Sequence, residues 1–126
     1  MRDELIKQAK NAQQYAYVPY SNFQVGAAVK MVSGKVFTGS NIENASYSLT
    51  CCAERTAIFK AVSEGETDFL ALAVTGNTEE PISPCGACRQ VMSEFFTDKT
   101  TIYLGNLHGD VYESSLAELL PFRFKL

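Results

Sequence analysis

Four cysteines occur in the chain, and three of them, Cys52, Cys85 and Cys88, stand where the residue pattern starts a helix. Cys52 precedes a stretch in which Ala53, Ala57, Ile58, Ala61 and Val62 keep a helical apolar stripe, closed by Gly65. Cys85 and Cys88 belong to Pro84-Cys85-Gly86-Ala87-Cys88, at the head of a second helical segment running from about Gly86 to Phe96. Partial positive charge at a helix N-terminus lowers thiol pKa, so both places favour thiolates. Three thiolates can bind one Zn²⁺ and leave the fourth tetrahedral position for water, the layout of a catalytic site and not of a structural one. A chain built this way folds so that two helix starts meet.

The rest of the pattern supplies the frame for that meeting. A helix is expected from about Asp3 to Tyr17, with Leu5, Ala9, Ala12 and Ala16 in phase and Pro19 as its stop. Phe23–Met31 and Lys35–Gly39 flank Ser33-Gly34 and predict a hairpin. Asn41–Thr50 is polar and irregular, hence a loop, and the first cysteine helix runs from Cys52 to about Glu64. Phe69–Thr75 is a buried strand, Thr100–Leu104 a further one, and Asp110–Glu113 a last one after the His108-Gly109 turn. Ser114 is placed as N-cap of a short final helix with Leu116, Leu119 and Leu120, ended by Pro121. The order α-β-β-α-β-α-β-β-α predicts an α/β fold, a three-layer α/β/α sandwich around one mixed five-stranded sheet. Tyr47, Phe95, Phe96 and Tyr103 are assigned to the packing of helices on that sheet.

Bulk properties narrow the function classes. At 126 residues the chain is expected to form one domain, residues 1–126, large enough to need no staple. Net charge is −3 and the 11 Lys and Arg are scattered, which argues against a nucleic-acid partner, since phosphate contacts demand a basic face. No apolar run reaches the roughly 20 residues of a membrane span. Met1-Arg2-Asp3-Glu4-Leu5-Ile6-Lys7 is charged and interrupted, unlike a secretory leader, so the expected location is the cytoplasm. In that compartment cysteines serve metals or chemistry more often than disulfides.

Hydrolytic chemistry at such a metal also needs a carboxylate that moves protons between water, substrate and leaving group. Glu54, two residues after Cys52, is the candidate. Three thiolates and Zn²⁺ sum to −1, which weakens the metal's power to acidify water. Arg55, on the same helical face as Cys52, is expected to offset that charge by hydrogen bonding to the ligating sulfurs. Cys-x-Glu followed by Pro-Cys-x-x-Cys is the known signature of zinc-dependent deaminases, in which the first ligand is His or Cys.

The chain resembles the small cytidine deaminases over nearly its whole length. The matching stretches are Tyr17-Val18-Pro19-Tyr20-Ser21-Asn22-Phe23-Gln24-Val25-Gly26-Ala27-Ala28, Gly39-Ser40-Asn41-Ile42-Glu43-Asn44-Ala45-Ser46-Tyr47, Cys52-Ala53-Glu54-Arg55-Thr56-Ala57, Ser83–Gln90 and Glu118-Leu119-Leu120-Pro121. The resemblance implies one zinc per chain on Cys52, Cys85 and Cys88, with Glu54 as proton shuttle. It implies ribose hydroxyls bonded by Asn41 and Glu43, Phe23 packed beside the nucleoside, and the base edge met by the backbone around Ala53 and the Ser83 carbonyl. It further implies hydrolysis of free cytidine and deoxycytidine in pyrimidine salvage. The expected assembly is a homotetramer whose sites are shared between subunits, a C-terminal aromatic capping a neighbour's site. Phe124 is assigned that place, with Phe122 as its rival.

Most of these residues also have a plainer use. Cys51 is read as a small thiol filling core space. Cys85-Gly86-Ala87-Cys88 alone also suits a redox dithiol, which leaves Cys52 and Glu54 without purpose. Asn41 and Glu43 are equally good turn formers, Phe23 an ordinary strand residue, and Arg89 a surface or interface cation. A deaminase of a modified pyrimidine nucleoside shares the metal site and differs in its pocket.

Overall fold

Five strands form one sheet in the order β2-β1-β3-β4-β5 in the computed structural model, which describes residues 1–126. β1 (Val25–Met31) lies antiparallel to β2 (Val36–Ser40) and to β3 (Phe69–Gly76). β3 runs parallel to β4 (Thr101–Gly105), and β5 (Val111–Ser114) closes the far edge antiparallel to β4. The sheet is therefore mixed, as expected. Its central strand, β3, is buried along nearly its whole length because helices cover both faces.

Period-two alternation sorts the strand residues between those faces. Ala28, Ala71, Ala73 and Tyr103 point one way and meet Leu5, Ile6 and Ala9 of α1 (Arg2–Ala12). Val25, Ala27, Val29, Leu72, Val74, Ile102 and Leu104 point the other way. There they meet Ala57, Ile58 and Ala61 of α2 (Ala53–Ser63), Cys88 and Met92 of α3 (Gly86–Phe95), and Leu116 and Leu119 of α4 (Leu116–Leu119). The result is the three-layer α/β/α sandwich, with both cysteine helices on one side of the sheet. No helix is long and apolar enough to cross a membrane.

Differences from the expected elements have local causes. α1 stops at Ala12 and continues only as a 3₁₀ turn, Gln13–Tyr15, because Tyr17 is drawn into a bridge with Ile42. The Tyr17 N–H donates to Asn41 O and the Glu43 N–H to Tyr17 O, both at 2.9 Å. β1 begins at Val25, after the left-handed Asn22, and Gly34 makes the hairpin turn with φ +97°. The final helix is capped by Ser115 and not by Ser114: Ser115 Oγ accepts from the Glu118 N–H, while Ser114 ends β5 and donates to the Glu118 carboxylate. A capping box needs Glu three residues after the cap, and Glu118 stands in that relation to Ser115 only. Phe96 and Tyr103 are buried and Phe95 half-buried, but Tyr47 is 78% exposed in a 3₁₀ turn, edge-on to Tyr20. It packs no helix on the sheet. Cys51 is half-buried beside the Thr56 hydroxyl, outside the core in which its residue type places it.

Gly39 on β2 is where α2 comes closest to the sheet. A Cβ there would lie 2.5 Å from Ala57 N and 2.7 Å from Ala53 O, both backbone atoms. Gly39→Ala therefore pushes the first turn of α2, with Cys52 and Glu54, off its seat. The expected loss is about 3 kcal/mol of stability, read in a denaturant titration, together with weakened zinc retention.

Candidate metal centre and active site

Cys52 is the N-cap residue of α2, Cys85 the N-cap of α3, and Cys88 lies one turn into α3. Neither cap position is filled by a side-chain hydrogen bond, and both sulfurs stand at helix N-termini. All three Sγ atoms lie within 4.8 Å of one another, and Cys52 and Cys85 are 3.6 Å apart. Tetrahedral Zn–S bonds of about 2.3 Å place sulfurs roughly 3.8 Å apart, so the trio fits zinc without rebuilding. The Cys52 thiol is held down to about 5, first by the hydrogen bond from Cys88 and then by the Arg55 guanidinium and Cys85. Cys88 is pushed up, as the donor in that bond and by burial. Metal binding requires all three thiols as thiolates and so releases their protons.

Glu54 follows two residues after the cap and is only 4% exposed. Burial pushes its carboxyl up to about 7, with the charge on Cys52 adding to the effect and Arg55 opposing it. A carboxyl that changes state near neutrality can both take and return a proton. Arg55 Nη2 donates to Cys52 Sγ and to Thr50 O, each at 3.4 Å, and its Nε is buried with no partner in the chain. Its pKa is raised, first by the bond to Cys52, so the guanidinium stays charged beside the sulfurs.

A second network ties together the residues implied by the resemblance as nucleoside contacts. Asn41 Nδ2 donates to Phe23 O at 2.8 Å, and its Oδ1 accepts from the Val25 N–H at 2.9 Å. Glu43 Oε1 accepts from the N–H groups of Tyr20 and Ser21 at 3.0 and 3.1 Å, and its Oε2 accepts from the Ser21 hydroxyl. The Ser21 hydroxyl is the main reason Glu43 is held below the usual carboxylate range. Both side chains thus shape the Tyr20–Val25 segment, the turn-forming work that competes with ribose contact. The Phe23 ring and Ile82 flank Gly76, where a Cβ would be 3.2 Å from Phe23 Cζ, so Phe23 stands next to the loop that carries Ser83.

Glu43, Tyr20, Ser21, Asn44, Tyr47 and Thr50 line an open cleft of about 420 Å³. No cysteine lines it; it reaches the cluster only through Thr50, whose carbonyl holds Arg55. Ala53 is fully buried as the first residue of α2, and Ser83 is exposed just before Pro84. Phe124 lies elsewhere, exposed, beside Gln90, Ser93 and Glu94, with its carbonyl taking a bond from Gln90 Nε2. His108 is in an exposed turn, as expected. Two residues gain weight that the sequence does not give them. Ser21 links Glu43 to the Phe23 N–H, and nothing in the Tyr20-Ser21-Asn22 run signals a partner so far along the chain. Arg89 is half-buried and makes three side-chain bonds to backbone and Ser83, so it is no free surface cation. Its position one turn after Cys85 is the signal that points there, because helical side chains lie back over the preceding turn.

Arg55→Gln removes the positive charge beside Cys52. Zinc retention against a competing chelator is expected to fall by about tenfold or more, measured as metal content after dialysis; retention equal to the parent's contradicts the charge-offset role.

The matching family model is that of the cytidine and deoxycytidylate deaminase zinc-binding region, over residues 1–104. A cytidine deaminase of Halalkalibacterium halodurans is 59% identical over 123 residues, 98% of this chain and 93% of the relative. The crystal structure of the cytidine deaminase from Burkholderia pseudomallei superposes with a TM-score of 0.96 at 52% identity, covering 98% of this chain and 99% of that one. That of the cytidine deaminase from Mycobacterium tuberculosis gives 0.85 at 39% identity, covering 99% and 98%. The chain belongs to the cytidine and deoxycytidylate deaminase family and is a zinc-binding hydrolase of that family.

Proposed function

We propose that the protein hydrolyses the 4-amino group of free cytidine and deoxycytidine, giving uridine or deoxyuridine and ammonia, as a step of pyrimidine salvage. The observation that carries this reading is the buried Glu54 in the first turn of α2 beside a three-thiol cluster. Cys52, Cys85 and Cys88 hold one zinc ion per chain. Zinc in that place supplies Lewis acidity, making water a competent nucleophile near neutral pH. Glu54 takes the proton from the water that attacks ring carbon 4 and passes it to ring nitrogen 3. It then takes the second proton from the new hydroxyl on carbon 4 and delivers it to the departing amine as the carbon 4 carbonyl forms, so that each turnover consumes one water and releases one ammonia. Arg55 holds the Cys52 sulfur and offsets the net negative charge of the cluster.

Asn41 and Glu43 retain acceptor capacity beyond their bonds within the chain, since a carboxylate offers about four lone-pair sites and Glu43 uses three. The ribose hydroxyls take up that capacity. Phe23 packs beside the nucleoside, the Ser83 carbonyl and the backbone at Ala53 meet the base edge, and residues 1–126 act as one domain. The working form is a homotetramer with shared sites: Tyr47, Leu49, Phe59 and Phe124 are exposed apolar groups that subunit contacts would bury, and Phe124 caps a neighbouring site. Thiolate ligands suit a reducing compartment, hence the cytoplasm.

Ammonia release from cytidine by the purified protein is expected, and Glu54→Gln should retain zinc while losing about 10²- to 10⁴-fold in kcat. No release from a parent carrying one zinc per chain excludes cytidine and turns attention to modified pyrimidine nucleosides. Glu43→Gln is expected to raise KM for cytidine by about tenfold or more, leaving binding of the free base little changed; equal loss for both contradicts the sugar contact.

A further inference from the structure

Arg89 follows Cys88 on α3, and its guanidinium is engaged in three directions. Nε donates to Pro84 O at 2.8 Å, Nη2 to Ser83 Oγ at 2.6 Å, and Nη1 to Leu119 O at 2.6 Å. The three ion pairs of the structure, Arg2–Asp3, Lys35–Glu66 and Arg123–Asp98, leave it out, so its bonds all go to neutral oxygens. A planar fork with five N–H groups can span acceptors on two chain segments; the compact ammonium of lysine cannot.

Those two segments are the ones that matter to a bound nucleoside. Ser83-Pro84 leads directly into Cys85. Leu119 ends α4, and the chain beyond it forms the C-terminal tail, where Gln90, next to Arg89, donates Nε2 to Phe124 O at 3.3 Å. Consecutive residues of α3 thus hold the loop entering the cluster and the tail that follows α4.

We infer that Arg89 is a positioning residue for the substrate, fixing where the Ser83 carbonyl stands relative to the three thiols and where the tail starts beside it. The inference deepens the proposed nucleoside function and rests on it. Arg89 touches no reacting atom; its effect passes through Ser83, an exposed residue whose hydroxyl it grips. Without the fork the carbonyl turns freely, and contact with the base edge is lost in ground state and transition state alike. Such a loss raises KM with little change in kcat.

The test measures zinc content, KM and kcat on cytidine for the parent, Arg89→Lys, Ser83→Ala and Ser83→Thr. Arg89→Lys is expected to keep parental zinc and to raise KM by about tenfold, with kcat within about twofold. Ser83→Ala should raise KM by about threefold, and Ser83→Thr, which keeps the acceptor oxygen, should raise it by less than Ser83→Ala does. If Arg89→Lys fails to fold, the Ser83 pair decides alone. An active parent together with variants of unchanged KM, or with a fall in kcat at parental KM, overturns the inference and leaves the function standing. A parent that releases no ammonia overturns the function and this inference with it.

Discussion

The structure turns on two helix N-termini meeting over one face of a sheet. Cys52 heads the helix that leads into β3, and Cys85 heads the helix that leads from β3 to β4. Because β2 and β3 both run antiparallel to β1, they end at the same end of the sheet, so α2 and α3 begin there, and both helices pack on the same side. Everything that follows depends on how closely those helices seat. Alanines at 53, 57 and 61 let α2 lie low on the sheet, and Gly39 removes the one side chain that would hold it off. The three sulfurs meet as a consequence of backbone packing that ordinary apolar contacts maintain. Zinc then adds its binding energy to a frame already formed, and that energy counts toward folding.

Electrostatics at the meeting point is divided among neighbours on α2. The Cys52 thiol is lowered toward the thiolate, Glu54 is kept protonatable by burial, and Arg55 donates a hydrogen bond to the Cys52 sulfur. In the proposed reaction neighbouring positions of one helix start serve as ligand, proton carrier and counter-charge, because each points in a different direction from a common axis. The proposed substrate side is built separately, from the Tyr20–Val25 segment clamped by Asn41 and Glu43. The two halves meet where the Phe23 ring and Ile82 share the space above Gly76.

Most of the architecture is legible in the sequence because apolar periodicity and glycine stops are local signals. The metal trio is legible because zinc demands particular residue types at helix starts. Tertiary pairing hides the rest. The helical pattern overruns the end of α1, since the bridge that pulls Tyr17 away involves Ile42, far along the chain. Tyr47 passes for a packing residue because exposure of an aromatic cannot be read from composition. The cap of α4 lies one residue beyond Ser114, although the Glu118 spacing favours Ser115. Arg89 passes for a surface or interface cation, and its bonds within the chain stay hidden because its partners are mostly backbone carbonyls, which every residue possesses and no sequence advertises. For Asn41 and Glu43 the chain itself consumes bonds that the resemblance reserves for a sugar, a division of labour only the folded geometry reveals.

In the proposed site the three sulfurs of Cys52, Cys85 and Cys88 would hold the metal and leave one position for water, with Cys51 outside the set. X-ray absorption at the zinc edge of the purified protein tests that claim directly. The expected spectrum fits three sulfur scatterers at about 2.3 Å and one oxygen or nitrogen at about 2.0 Å. Four sulfurs would mean that Cys51 has joined Cys52, Cys85 and Cys88 in a closed structural site, leaving no place for water, and the catalytic reading would be contradicted.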